Sequence, residues 1–133
     1  MDRVTAQLAS AEKALATLHE ALAMPSSVVV RDASIQRFEY TYEVAWKTLK
    51  AYLADVEGVV AASPNQCFRD ALRVGLVSPD DAERLLDLSR DRNLTSHTYV
   101  EAIAEQIARR LPAHAALLRH LLAALRERVG TTV

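Results

Sequence analysis

The chain is poor in everything that builds strands, staples or a charged field. Among its 133 residues are one cysteine, three glycines, four prolines and one tryptophan. The single thiol, Cys67, excludes an internal disulfide framework and a cysteine-based zinc cluster, and it suits a reducing compartment. So few glycines leave little room for tight hairpins. Charge of one sign is lacking too: 16 Lys and Arg face 17 Asp and Glu, a formal net charge of −1, so no global basic field draws in nucleic acid. Any RNA contact must be a local patch, or one assembled between subunits, and no aromatic-interleaved basic run marks a single-strand binder. No apolar run is long enough to cross a bilayer. Charges at Asp2, Arg3, Glu12, Lys13 and Glu20 break up what a signal peptide would keep apolar, so the expected location is the cytoplasm.

What is present is helical spacing. Val4, Leu8, Ala11, Leu15, Leu18 and Leu22 recur every three or four residues, a first amphipathic helix ending near Met24, before Pro25. From about Ser27 to Glu57 a heptad-like seam runs through Ile35, Phe38, Tyr42, Ala45, Leu49, Tyr52 and Val56, suited to core or interface packing. Glu43 and Lys47 form a favourable pair on that helix, and Gly58 supplies its stop. SPNQ at residues 63–66 reads as a cap, with Ser63 as N-cap, Pro64 next and Gln66 completing a capping box; this short helix stops at Gly75. SPDD at residues 78–81 repeats the device and opens a fourth helix through Leu85, Leu86 and Leu88. The last pattern runs from Val100 to Val129, with a kink or split predicted at Pro112. The fold class is all-α: an up-and-down four-helix-type bundle with an additional short helix, forming one domain over residues 1–133.

The densest chemistry lies in DRNLTSHTY, residues 91–99. On one unbroken helix Arg92 and His97 would stand about 140° apart and could not share a ligand. Asn93, Thr95 and Ser96 favour caps and turns over helix interiors, which points to a break. Thr98 followed by Glu101 then reads as a capping box, with Tyr99 at the first helical position and His97 just before the cap. Arg92 offers a planar fork for phosphate oxygens. His97, close to a helix N-terminus that favours its neutral form, could take a proton from a ribose 2′-hydroxyl. Asn93 or Ser96 could orient either group or donate to an oxyanion. The plainer alternative is a polar connector that caps two helix ends, with Tyr99 a partly buried anchor. No metal or other cofactor is expected: the acidic residues are scattered, and His19, His114 and His120 read as surface residues.

Three blocks in order, FEYTYEVAWKTLKAYL at residues 38–53, SPNQCFRDALRVGLV at residues 63–77 and DRNLTSHTY, resemble the HEPN proteins, specifically the nucleotidyltransferase substrate-binding subgroup. The likeness spans about Ile35 to Leu125. It implies a helical bundle that forms a homodimer and is encoded beside a minimal nucleotidyltransferase. Many such proteins are metal-independent endoribonuclease toxins whose signature is an Arg, a following polar residue and a His. Arg92, Asn93 and His97 match it, and the two copies would meet across the dimer to act on RNA. The resemblance also implies that the partner nucleotidyltransferase, as antitoxin, adds AMP to Tyr99. The alternative is a non-catalytic substrate-binding subunit that presents substrate, or Tyr99 itself, to the nucleotidyltransferase.

Overall fold

The computed structural model describes residues 2–131, which form five α-helices and one 3-10 turn. Helix α1 spans Asp2–Leu22, α2 Val28–Asp55, α3 Pro64–Arg73, α4 Pro79–Leu94 and α5 Glu101–Thr131, with the 3-10 turn at Thr95–His97 between the last two. Helices α1 and α2 form an antiparallel hairpin: Arg3 bonds Asp55 at one end, and Arg37 donates to the Thr17 carbonyl toward the other. Helix α5 runs parallel to α2. Arg31 meets Glu101 and Glu105 where both helices begin, and Glu57 meets Arg128 near where both finish. The short helices α3 and α4 carry the chain back between these two ends.

The periodicity that predicts the helices also fills the core. Val4, Leu8, Ala11, Leu15 and Leu18 of α1 are buried against Ile35, Phe38, Tyr42, Ala45, Leu49 and Tyr52 of α2 and Ile107, Leu111, Leu118, Leu122 and Leu125 of α5. Each fully buried Leu or Phe contributes about 2 kcal/mol. The heptad-like seam is thereby buried inside one chain. The one hydroxyl pair within this core is satisfied: Tyr42 and Ser89 bond each other at 3.0 Å.

Caps fix the short elements. Ser27, Ser63 and Ser78 each accept a backbone N–H three residues on, from Val30, Gln66 and Asp81. The box expected at Ser63 is only half made, because the Gln66 amide turns forward to Asp70 at 3.0 Å instead of back to the cap. Gly75, at φ 74°, closes α3: the Leu76 N–H returns to Ala71 and the Gly75 N–H to Leu72. Pro112 does not split the last helix, which stays continuous from Glu101 to Thr131 with that proline on its exposed side. No helix among the described residues is long and apolar enough to cross a membrane.

Gly75→Ala should lower stability by about 1 kcal/mol through the left-handed backbone alone, because the added methyl meets only Nη2 of Arg128, at 3.9 Å. Urea unfolding checks this; an unchanged midpoint would contradict it.

Candidate functional site

The helix breaks, as expected, in the segment that carries Arg92, Asn93, His97 and Tyr99: α4 ends at Leu94, a 3-10 turn tightens the chain, and α5 opens at Glu101. Three hydroxyls each donate to the carbonyl three residues back: Thr95 to Arg92 at 2.6 Å, Ser96 to Asn93 at 2.9 Å and Thr98 to Thr95 at 3.3 Å. They satisfy carbonyls that the end of α4 leaves open, and they convert the α-helix into a 3-10 turn. Thr98 is not the cap expected for α5, because its backbone is helical (φ −72°, ψ −6°) where a cap residue is extended. Helix α5 starts instead from the Val100 carbonyl, which accepts from Ile103 and Ala104, while the Glu101 side chain goes to Arg31. Tyr99 therefore lies in the turn before α5, and His97 at the end of the 3-10 turn rather than at the mouth of a helix.

Arg92 emerges from the last turn of α4, as the sequence predicts, but α2 holds it. Its Nη2 lies 3.6 Å from Glu43, its Nη1 3.9 Å from Glu39 and 3.0 Å from the Thr95 hydroxyl. Its Nε is shut off from solvent without a hydrogen-bond partner among the described residues. His97 pairs elsewhere: its Nδ1 is 3.4 Å from the Tyr99 hydroxyl, with the rings edge-on at 6.0 Å. Among the described residues no hydrogen bond or ion pair joins Arg92 to His97. The side chain of Asn93 is exposed. Tyr99, which the plainer alternative makes a partly buried anchor, is 81% exposed, with the His97 ring edge-on beside it.

The residue before Arg92 is the one that sequence reasoning passes over. Asp91 is buried and accepts two bonds from Arg110, at 2.7 and 2.8 Å, and one from Nε2 of His114 at 2.7 Å. An ionised carboxylate only accepts, so the proton of the last bond sits on Nε2. His114 is not a surface residue; only 8% exposed, its ring stacks on Phe38 at 5.4 Å. Burial pushes the Asp91 carboxyl upward, but the bonds from Arg110 and then His114 outweigh it and hold the group below its ordinary value. The clue in the sequence is the spacing Arg110 to His114, one helical turn on α5, which turns two donors to the same side. Among the described residues no cluster of His, Cys, Asp and Glu is arranged to hold a metal ion.

The pole so built defines a class: an all-helical bundle that offers a hydroxyl-tightened turn, an arginine held by carboxylates, and a histidine beside an exposed tyrosine. Residues 6–127 match the family described as nucleotidyltransferase substrate binding protein like, and the chain belongs to that family. A protein from Thermus thermophilus is similar at 51% identity and a TM-score of 0.83, the match covering 87% of this chain and 98% of that one. A Haemophilus influenzae protein, HI0074, whose structure is described as revealing the fold of a substrate binding domain of a nucleotidyltransferase, is similar at 25% identity and a TM-score of 0.62, over 94% of this chain and 98% of that one. A mutant of the toxin-antitoxin MntA-HpeT shares the fold at 12% identity and a TM-score of 0.80, over 96% of this chain and 99% of that one. No curated protein sequence matches the chain.

Because its carboxyl is held below the ordinary 3.8, Asp91 stabilises the fold above that pH and loses its contribution as the pH falls through the lowered folded value. Asp91→Asn should cost about 2 kcal/mol or more at neutral pH and flatten the acid limb of a stability-against-pH curve. Equal acid limbs for variant and wild type would remove Asp91 as the group responsible.

Proposed function

We propose that the chain is the substrate-binding partner of a nucleotidyltransferase, and that the pole carrying Tyr99 is the face it presents to that enzyme. The observation that carries this is a phenol 81% exposed, with its oxygen 3.4 Å from an imidazole nitrogen. An exposed hydroxyl is open to a second active site, and His97 is placed to take its proton as it becomes a nucleophile. The phenol oxygen would attack the α-phosphorus of a nucleoside triphosphate. Pyrophosphate leaves, the tyrosyl proton passes to His97, and Tyr99 keeps the nucleotide. Family membership supports the partner, and so does the description of HI0074. Incubation with the nucleotidyltransferase and ATP should add one or more AMP units to the intact mass, placed on Tyr99 by peptide mapping, and Tyr99→Phe should abolish the gain. Modification at another residue, or none, overturns the proposal.

A second reading follows from the match of Arg92, Asn93 and His97 to the HEPN signature: a homodimeric, metal-independent endoribonuclease toxin for which the nucleotidyltransferase is the antitoxin. Arg92 would hold the scissile phosphate, His97 would act as base and then acid, and Asn93 would support them, leaving a 2′,3′-cyclic phosphate and a 5′-hydroxyl. The unpartnered Nε of Arg92 and the exposed ring of His97 favour it. Glu39 and Glu43 weigh against it within one chain, because RNA must compete with both carboxylates for the guanidinium. A bulky anionic adduct on Tyr99 would repel RNA phosphates, which connects the two readings. His97→Ala should lose RNA cleavage at unchanged oligomeric state; equal degradation by variant and wild type would sink the ribonuclease.

A further inference from the structure

A basic patch with an aromatic in it does exist, built by two helices instead of by a run of sequence. The start of α1 lies against the second half of α2 and leaves a groove of about 390 Å³ there. Its walls are Arg3 and Gln7 from α1 and Trp46, Lys47 and Lys50 from α2, and the small side chains of Ala51 and Ala54 leave the space open. Among the described residues no carboxylate lines it, in a chain whose formal net charge is −1. Arg3 is steadied by Asp55, at 3.1 and 2.8 Å. Lys47 lies 3.9 Å from Glu43, a separation at the outer limit of an ion pair between two well-exposed groups. Lys50 makes no ion pair among the described residues, and its ammonium stands 5.9 Å from the centre of the Trp46 ring. The indole is fixed in turn, because its N–H donates to Glu43 at 3.1 Å.

One atom in this wall is left over. Oε1 of Gln7 is closed to solvent and has no hydrogen-bond partner among the described residues, and a buried polar atom left in this state calls for a donor. An oriented indole beside cations, with an unfilled amide acceptor next to them, is complementary to a base with a phosphate attached. A bare anion needs neither the indole nor the amide. The volume lies within the range of about 300–1,000 Å³ usual for small-molecule sites, and it suits a single nucleotide better than a strand.

We propose that this groove between α1 and α2 binds a nucleoside phosphate, with the base against Trp46 and Gln7 and the phosphates against Lys47, Lys50 and Arg3. The site is separate from the Tyr99 hydroxyl and requires no nucleotidyltransferase. It does connect to the other pole through one side chain: Glu43 gives Oε2 to the Trp46 indole and Oε1 to Arg92.

Trp46 is the one tryptophan in the chain, so its emission reports the site. ATP added to the purified full-length protein should change that emission saturably, with calorimetry giving the same dissociation constant. Lys50→Glu should weaken binding about tenfold or more, as loss of a charge-assisted bond predicts, with an unchanged circular dichroism spectrum. Trp46→Phe, followed by calorimetry alone, should also bind less tightly. Adenosine and inorganic triphosphate, each carrying half of the recognition, should both bind more weakly than ATP. Absence of saturable binding at millimolar ATP overturns the proposal, as does a folded Lys50→Glu variant that binds like wild type. Triphosphate binding as tight as that of ATP reduces the groove to an anion site and overturns it equally.

Discussion

The connector pole hangs on a carboxylate taken out of water. Asp91 belongs to α4, both of its donors to α5, and the ring of one donor lies on a phenylalanine of α2, so three helices converge on a single ionised group. A buried charge is tolerated only when its lone pairs are filled, and two geometries fill these: the planar fork of Arg110 and the single N–H of His114. Arg92 is the next residue along the chain. With Asp91 turned into the bundle, the following side chain is carried round to α2, where Glu39 and Glu43 meet it. The arginine that the sequence offers to a phosphate is thus supplied with carboxylates by the fold, and any anion that binds there does so by exchange.

The remaining charges lace the helices at their ends. Arg3 with Asp55, Arg126 with Glu12, and Arg128 with Glu57 cluster toward one end, while Arg31 with Glu101 and Glu105 closes the other. Exposed pairs of this kind are each worth about 0–1 kcal/mol, so they do not hold the bundle together. They do favour one register of α5 on α2 over a shift by a turn, and this register decides where the connector begins and ends. Recruitment of Glu101 by Arg31 also removes the return half of the expected capping box, because the side chain that would reach back to Thr98 is engaged by another helix.

Legibility follows the range of the interaction. The seam from Ile35 to Tyr52 could be read because period alone determines burial, and Ser63 and Ser78 because a cap is decided within four residues. His114 could not: its burial depends on a carboxylate 23 residues earlier and a ring on a third helix. The start of α5 was misplaced because Thr98 takes a helical backbone instead of the extended one that a cap needs, and residue type alone does not decide that. The groove at Trp46 was invisible because Arg3 and Gln7 reach it from more than thirty residues away. The place of Arg92 in the last turn of α4 was legible, but what it faces was not, because Glu39 and Glu43 of α2 supply its surroundings.

The parallel course of α2 and α5 has one more consequence. Since α1 is antiparallel to both, Arg3 at its start and Arg128 near the close of α5 lie at the same end of the bundle, and the connector lies at the opposite end. A helix the length of α1, 21 residues, separates the two poles by about 30 Å. Cargo fused at either end of the described chain, or a bead or surface to which it is tethered, would stand behind the molecule and leave His97 and Tyr99 as its leading edge.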